Sequence, residues 1–93
     1  MSGLVKTETT GWLLKQFKKA AKTGSNAYYP FETGFAAKLI NVTPTELKDS
    51  LLKEQLLRGI SPPSAYLVRG KYYFLMDSIV DFNLRIRAKE QEI

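Results

Sequence analysis

The hydrophobic positions of the chain change period several times, and each change marks a structural element. Between residues 12 and 22, Leu13, Leu14, Phe17 and Ala21 recur at helical spacing, with Lys15, Lys18, Lys19 and Lys22 distributed around the remainder. This predicts a first helix begun by Thr9 or Thr10, ended by Gly24, and laying Trp12, Leu13 and Phe17 on the core. The stretch "SNAYYPFET" that follows reads as an extended connection, because Pro30 and its small polar neighbours oppose a helix. Tyr28, Tyr29 and Phe31 would pin it down.

From Thr33 the helical pattern returns. Thr33 is a candidate cap for a short helix with Phe35, Ala36, Leu39 and Ile40 set to pack, and Asn41 and Val42 form the corner. Thr43, Pro44 and Glu46 then stand at the cap, first and third positions of a second helix, a capping box with proline where its missing N–H costs nothing. That helix should run from Pro44 to about Arg58 and stop at Gly59 before "SPPS". Leu47, Leu51 and Leu57 share one side while Leu52 and Leu56 lie nearly opposite, so it must bury two faces or offer one to a partner.

The segments "SAYLVRG" and "KYYFL" are rich in β-branched and aromatic residues and predict a hairpin. Gly70 and Lys71 would form a type II′ turn, pairing Arg69 with Tyr72, Val68 with Tyr73 and Leu67 with Phe74. A last helix follows, capped by Asp77, with Ile79, Phe82 and Ile86 inward, Arg85, Arg87 and Lys89 in its later turns, and a frayed end. The chain is thus expected to be one domain over 1–93: an N-terminal helix and linker in 1–32, then two helices, hairpin and closing helix in 33–90. The expected fold class is mainly α with one β-hairpin, a winged helix-turn-helix with an additional N-terminal helix.

The segments "FAAKLINVTPTELKDSLLKEQLLRG" and "YLVRGKYYFLMDSIVDF" resemble the excisionase and AlpA-type phage regulators, relatives of the mercury-resistance-regulator DNA-binding domain. The resemblance covers about residues 33–87 and rests on Ile40 to Val42, Thr43, Gly59 with Pro62 and Pro63, Arg69 to Lys71, and Asp77 to Phe82. It departs from the family in its longer expected second helix carrying Asp49 and Glu54, its wing with only two cations, and its extra N-terminal helix. What the resemblance implies is a sequence-specific DNA-binding protein, architectural or regulatory, that bends double-stranded DNA and cooperates with an integrase. On that reading Thr45, Lys48, Asp49 and Gln55 face bases or sugar-phosphate, Thr43 with the helix N-terminus binds a phosphate, Arg69 and Lys71 contact phosphates or a minor groove, and Lys38 flanks the site. Asp49 would repel phosphate unless it accepts from a cytosine amine or pairs with Lys53.

Composition narrows the alternatives. Apolar residues at 44% and charged residues at 25% place the chain with globular proteins and away from disordered ones. Without cysteine or histidine, disulfides, thiolate chemistry, histidine bases and the usual zinc sites are excluded. Asp77 and Asp81 share a helix face without further ligands, so neither a metal nor a cofactor nor catalysis is expected. No apolar run is long enough to span a membrane and "MSGLVKTETT" has no signal core, so a cytoplasmic protein without membrane attachment is expected. Fourteen basic against nine acidic side chains, a formal charge of +5, favour a polyanionic partner. A second class stays open, a protein-binding module or homodimer using Leu52 and Leu56 or Tyr28 and Tyr29, as does a basic face on residues 12–22 for phosphates or acidic lipid.

Overall fold

The computed structural model describes residues 4–91; the fraying expected at 92–93 lies outside them. Among the described residues lie four strands and four α-helices: β1 (Val5–Thr7), α1 (Thr10–Thr23), β2 (Phe31–Glu32), α2 (Thr33–Leu39), α3 (Pro44–Leu52), β3 (Ala65–Val68), β4 (Lys71–Phe74) and α4 (Met76–Glu90), with a 3-10 turn at Asn26–Tyr28. The hairpin is therefore the centre of a mixed sheet in the order β1-β3-β4-β2. β1 runs parallel to β3 and β2 antiparallel to β4, so both edges of a ribbon that would be marginal alone are covered. Strands of three and two residues are too short for alternation to reveal them in the sequence.

The two sheet faces are buried by different helices. Ala65, Tyr72 and Phe74 join Ala36, Ala37, Ile40, Leu47, Leu51, Leu57, Ile79 and Phe82 in one core, with Val5, Phe31, Leu67 and Ile86 at its margin. On the reverse face Val68 and Tyr73 are buried, and Trp12 of α1 stacks on Tyr66 with ring centroids 4.4 Å apart. The result is three layers: α1, the sheet, and the α2–α4 layer. The inward stripe of α1 is Leu13, Gln16, Phe17 and Ala20, one position away from the expected set, so Leu14 and Ala21 face solvent. Phe17 meets Tyr29 edge-on, and Tyr29, Phe31 and Phe35 continue the aromatic chain at centroid spacings of 5.2 and 5.0 Å.

The helix ends differ from expectation for local reasons. Thr33 is the first residue of α2, not its cap; its hydroxyl donates to the Tyr72 carbonyl at 3.4 Å, tying α2 to the hairpin. Ala37, not Phe35 or Leu39, shares the buried face of α2 with Ala36 and Ile40. Asn41 closes α2 at φ 60°, with Val42 N–H bonded to the Ala37 carbonyl and Asn41 N–H to that of Lys38, a Schellman end.

α3 stops at Leu52, about six residues before Arg58, because Glu54 takes φ 53° and Gln55 N–H returns to the Ser50 carbonyl in a second such end. One straight helix could not bury leucines on two opposing faces. Breaking it at Lys53 lets a tight turn, Leu57 to Ile60, carry Leu57 into the core while Leu56 stays in solvent.

The hairpin also closes differently. Arg69 and Gly70 hold φ of 51° and 83°, a type I′ turn in place of the expected type II′ at Gly70 and Lys71. Val68 therefore pairs with Lys71, Leu67 with Tyr72 and Tyr66 with Tyr73. This slides the register by two residues and leaves every side chain on the face the alternation gives it. Finally, Leu75 and not Asp77 is the N-cap of α4. Asp77 sits within the first turn, where its charge complements the helix dipole, and the Ser78 hydroxyl donates to the Leu75 carbonyl at 3.0 Å.

Candidate nucleic-acid interface

The start of α3 is held by reciprocal hydrogen bonds. Glu46 N–H donates to Thr43 Oγ1 at 3.1 Å, and Thr43 N–H and hydroxyl donate to Glu46 Oε1 at 3.2 and 3.3 Å. Arg58, brought back by the turn after α3, adds a two-pronged contact to the same carboxylate, Nε and Nη2 each at 3.2 Å. The Arg58 guanidinium, followed by the Thr43 amide, holds the Glu46 carboxyl below the usual carboxylate range. This arrangement fixes α3 firmly and changes what its N-terminus can bind. Pro44 has no N–H, the amide of Glu46 is taken, and the carboxylate of Glu46 sits where an anion would. Thr43 is thus a structural cap whose polar groups are already engaged.

Beside this cap, α3 and the hairpin share one cleft of about 280 Å³. Thr45 and Lys48 line it from α3, Gly70, Lys71 and Tyr72 from the hairpin, and Glu32 to Gly34 from the β2–α2 junction. Lys48 and Lys71 line it together with the carboxylate of Glu32, so a phosphate there would be attracted by the two lysines and repelled by Glu32. Arg69 adjoins this group as an exposed residue of the turn.

The remaining candidates lie outside the walls. Lys38 is on the last turn of α2, and Asp49 is half-buried on α3 with no ion pair to Lys53 among the described residues. Gln55 follows the end of α3 and is not among the residues lining the cleft. Sequence reasoning missed Glu32, because only the pairing of β2 with β4 places it against Lys71 and Tyr72. Asp81, considered with Asp77, pairs with Arg85 at 3.0 Å.

Among the described residues no helix is long and apolar enough to cross a membrane. Searches against models of protein families, against curated proteins and against solved structures find no significant match for the chain.

Proposed function

We propose that the chain is a small DNA-binding protein of winged helix-turn-helix type, excisionase-like or regulatory in role, that acts on double-stranded DNA without catalysis. The observation that carries this reading is the cleft in which Thr45 and Lys48 of α3 face Gly70 and Lys71 of the hairpin. α2 and α3 are joined by the four-residue corner 40–43 and the capping box sets the angle of α3, as a groove-reading helix requires. On this reading Thr45 and Lys48 reach base edges or sugar-phosphate, and Arg69 and Lys71 hold the backbone as a wing. Thr43 positions α3 instead of touching phosphate, and Lys38 adds charge at the flank. Such a protein works in the compartment that holds DNA, and an integrase would be one partner.

The test is a mobility-shift assay on random duplex across a salt series. Replacing Lys48, Arg69 and Lys71 with alanine should lower the slope of log affinity against log salt by about two to three units, at roughly 0.9 per phosphate contact. An unchanged slope in a folded triple variant would end the proposal.

One observation favours a second reading. Leu52 and Leu56 flank the end of α3 at 59% and 65% exposure, an apolar pair suited to a protein partner or a second copy. Gel filtration of the wild type and of Leu52→Asp separates the two: a dimer lost on substitution, with no duplex bound by either protein, favours protein contact.

A further inference from the structure

The positive charge of this protein is not where the α3 cleft is. Of the fourteen basic residues in the chain four lie on α1, Lys15, Lys18, Lys19 and Lys22, and α1 has no acidic residue. With those four set aside, ten basic residues stand against nine acidic ones. Almost all of the net +5 is therefore carried by one helix, on the face of the sheet opposite α2, α3 and α4.

The spacing of the four makes a surface of them. At 100° per residue they fall within an arc of about 100°, centred nearly opposite the inward stripe of Leu13, Gln16, Phe17 and Ala20. All four are exposed, and none is ion-paired among the described residues. Lys19 is held over the Tyr28 ring at 4.2 Å, which orients its ammonium. Every neighbouring pair along the stripe is a like-charge pair at i,i+3 or i,i+4, an arrangement that weakens a helix rather than supporting it. Solubility would be served as well by lysines interspersed with glutamates.

We infer that the exposed face of α1 is a second polyanion-binding surface, for the sugar-phosphate backbone of duplex DNA read without regard to sequence. From Lys15 to Lys22 the stripe spans about 10 Å at 1.5 Å per residue, close to the rise of three base-pair steps of ~3.4 Å along the duplex axis. Lysines supply compact point charges with no planar fork for base edges, which suits backbone contact and not sequence readout. An anionic membrane is the less favoured partner. A helix lying in a bilayer surface needs its apolar face free, and here Leu13, Phe17 and Ala20 are spent against the sheet, leaving Leu14 as the exposed large apolar residue of α1. The surface stands whether or not the α3 cleft binds DNA.

The experiment measures fluorescence anisotropy of a short labelled duplex of random sequence across a potassium chloride series. It compares the wild type, a variant with all four α1 lysines changed to glutamine, and the Lys48, Arg69 and Lys71 triple-alanine variant. Thermal melts confirm that each is folded, and Lys18→Gln with Lys22→Gln serves if the quadruple variant is not. The quadruple variant should lose about three to four units of salt slope and the double variant about half of that, at ~0.9 per contact. A slope lost in the α1 variant but kept in the triple variant supports this surface and removes the α3 reading alone. A folded α1 variant with the slope of the wild type overturns the inference. So does co-sedimentation with phosphatidylserine vesicles that depends on the four lysines, in a protein that binds no duplex.

Discussion

A helix that keeps four lysines on one face gives up stability for charge, and the two are separable by a single substitution. Lys18 has Lys15 three residues before it and Lys22 four residues after, while its other two helical neighbours, Leu14 and Ala21, are uncharged. In Lys18→Glu both repulsive pairs become attractive, and a glutamate four residues before Lys22 is in the favourable order for the dipole. Each pair changes from ~0.2–0.5 kcal/mol unfavourable to about as much favourable, so the helix gains roughly 1–2 kcal/mol at low ionic strength. For a domain of this size that is a rise in Tm on the order of 5–10 °C.

The gain should fade as salt approaches about 1 M, where the screening length falls to ~3 Å. Duplex binding should move the other way, losing at least one contact's worth of salt slope, about 0.9, with added repulsion of phosphate. The assay is a pair of measurements on the same protein, a thermal melt and an anisotropy titration, each at low and high salt. A variant that is less stable than the wild type at low salt would refute the packing of α1 with its lysines outward. One that is more stable yet binds duplex equally well would refute the role of those lysines.

Two further substitutions test the α3 side. Thr43→Ala should cost about 1 kcal/mol of unfolding free energy in a denaturant titration by removing the cap, and it should weaken duplex binding only as far as α3 is loosened. In the same region Glu46 has a folded pKa below its unfolded value, so its contribution is present at neutral pH and is lost as pH falls below the ordinary carboxylate range through the lower folded value. Glu46→Gln should therefore lower stability at neutral pH and leave it little changed below the folded pKa, so that the acid limb of the stability profile becomes shallower. At the hairpin, Arg69 occupies a left-handed φ of 51° that Asn takes at less cost. Arg69→Asn should raise stability by about 0.5–1 kcal/mol in the same titration while reducing affinity for duplex. A loss of stability would contradict the type I′ turn.

What the sequence reveals about this fold depends on how local each signal is. The start of α3 is legible because Thr43, Pro44 and Glu46 act within one turn, and nothing distant is needed to make their bonds. Its end is not, because Glu54 adopts a left-handed conformation that its side chain does not favour, and the gain that compensates it is the burial of Leu57 in a core assembled from distant segments. The hairpin is legible as a pair of strands, but its register turns on whether Arg69 or Lys71 flanks Gly70 in the turn, and both choices leave the same side chains on the same faces. β1 and β2 exist only because β3 and β4 have edges to offer.

The same contrast governs the site. Lys48 and Lys71 are each readable as candidate cations, but only the fold, with α2 packed against both α3 and β4, brings them to one cleft, and the same fold introduces Glu32. The lysines of α1 carry the opposite lesson. Their charge is visible in the sequence, yet its meaning depends on which face of the helix is occupied, and the sheet occupies the apolar one.

Charge and shape thus point to different faces of one molecule. The cleft between α3 and the hairpin has a mixed lining, with Glu32 among its walls beside Lys48 and Lys71. The α1 face carries four exposed lysines and no acidic residue. Since the sheet separates them, one straight duplex cannot lie along both, and a protein using both must either hold two duplex segments or follow a bent one. Bending a site of 20–30 base pairs by 40–90° costs of order 1–6 kcal/mol, and a few lysine–phosphate contacts on α1 are the contacts available to offset it. With both surfaces intact, circularisation of a short linear duplex by ligase should therefore be accelerated. With the α1 lysines removed, the protein should bind duplex without bending it.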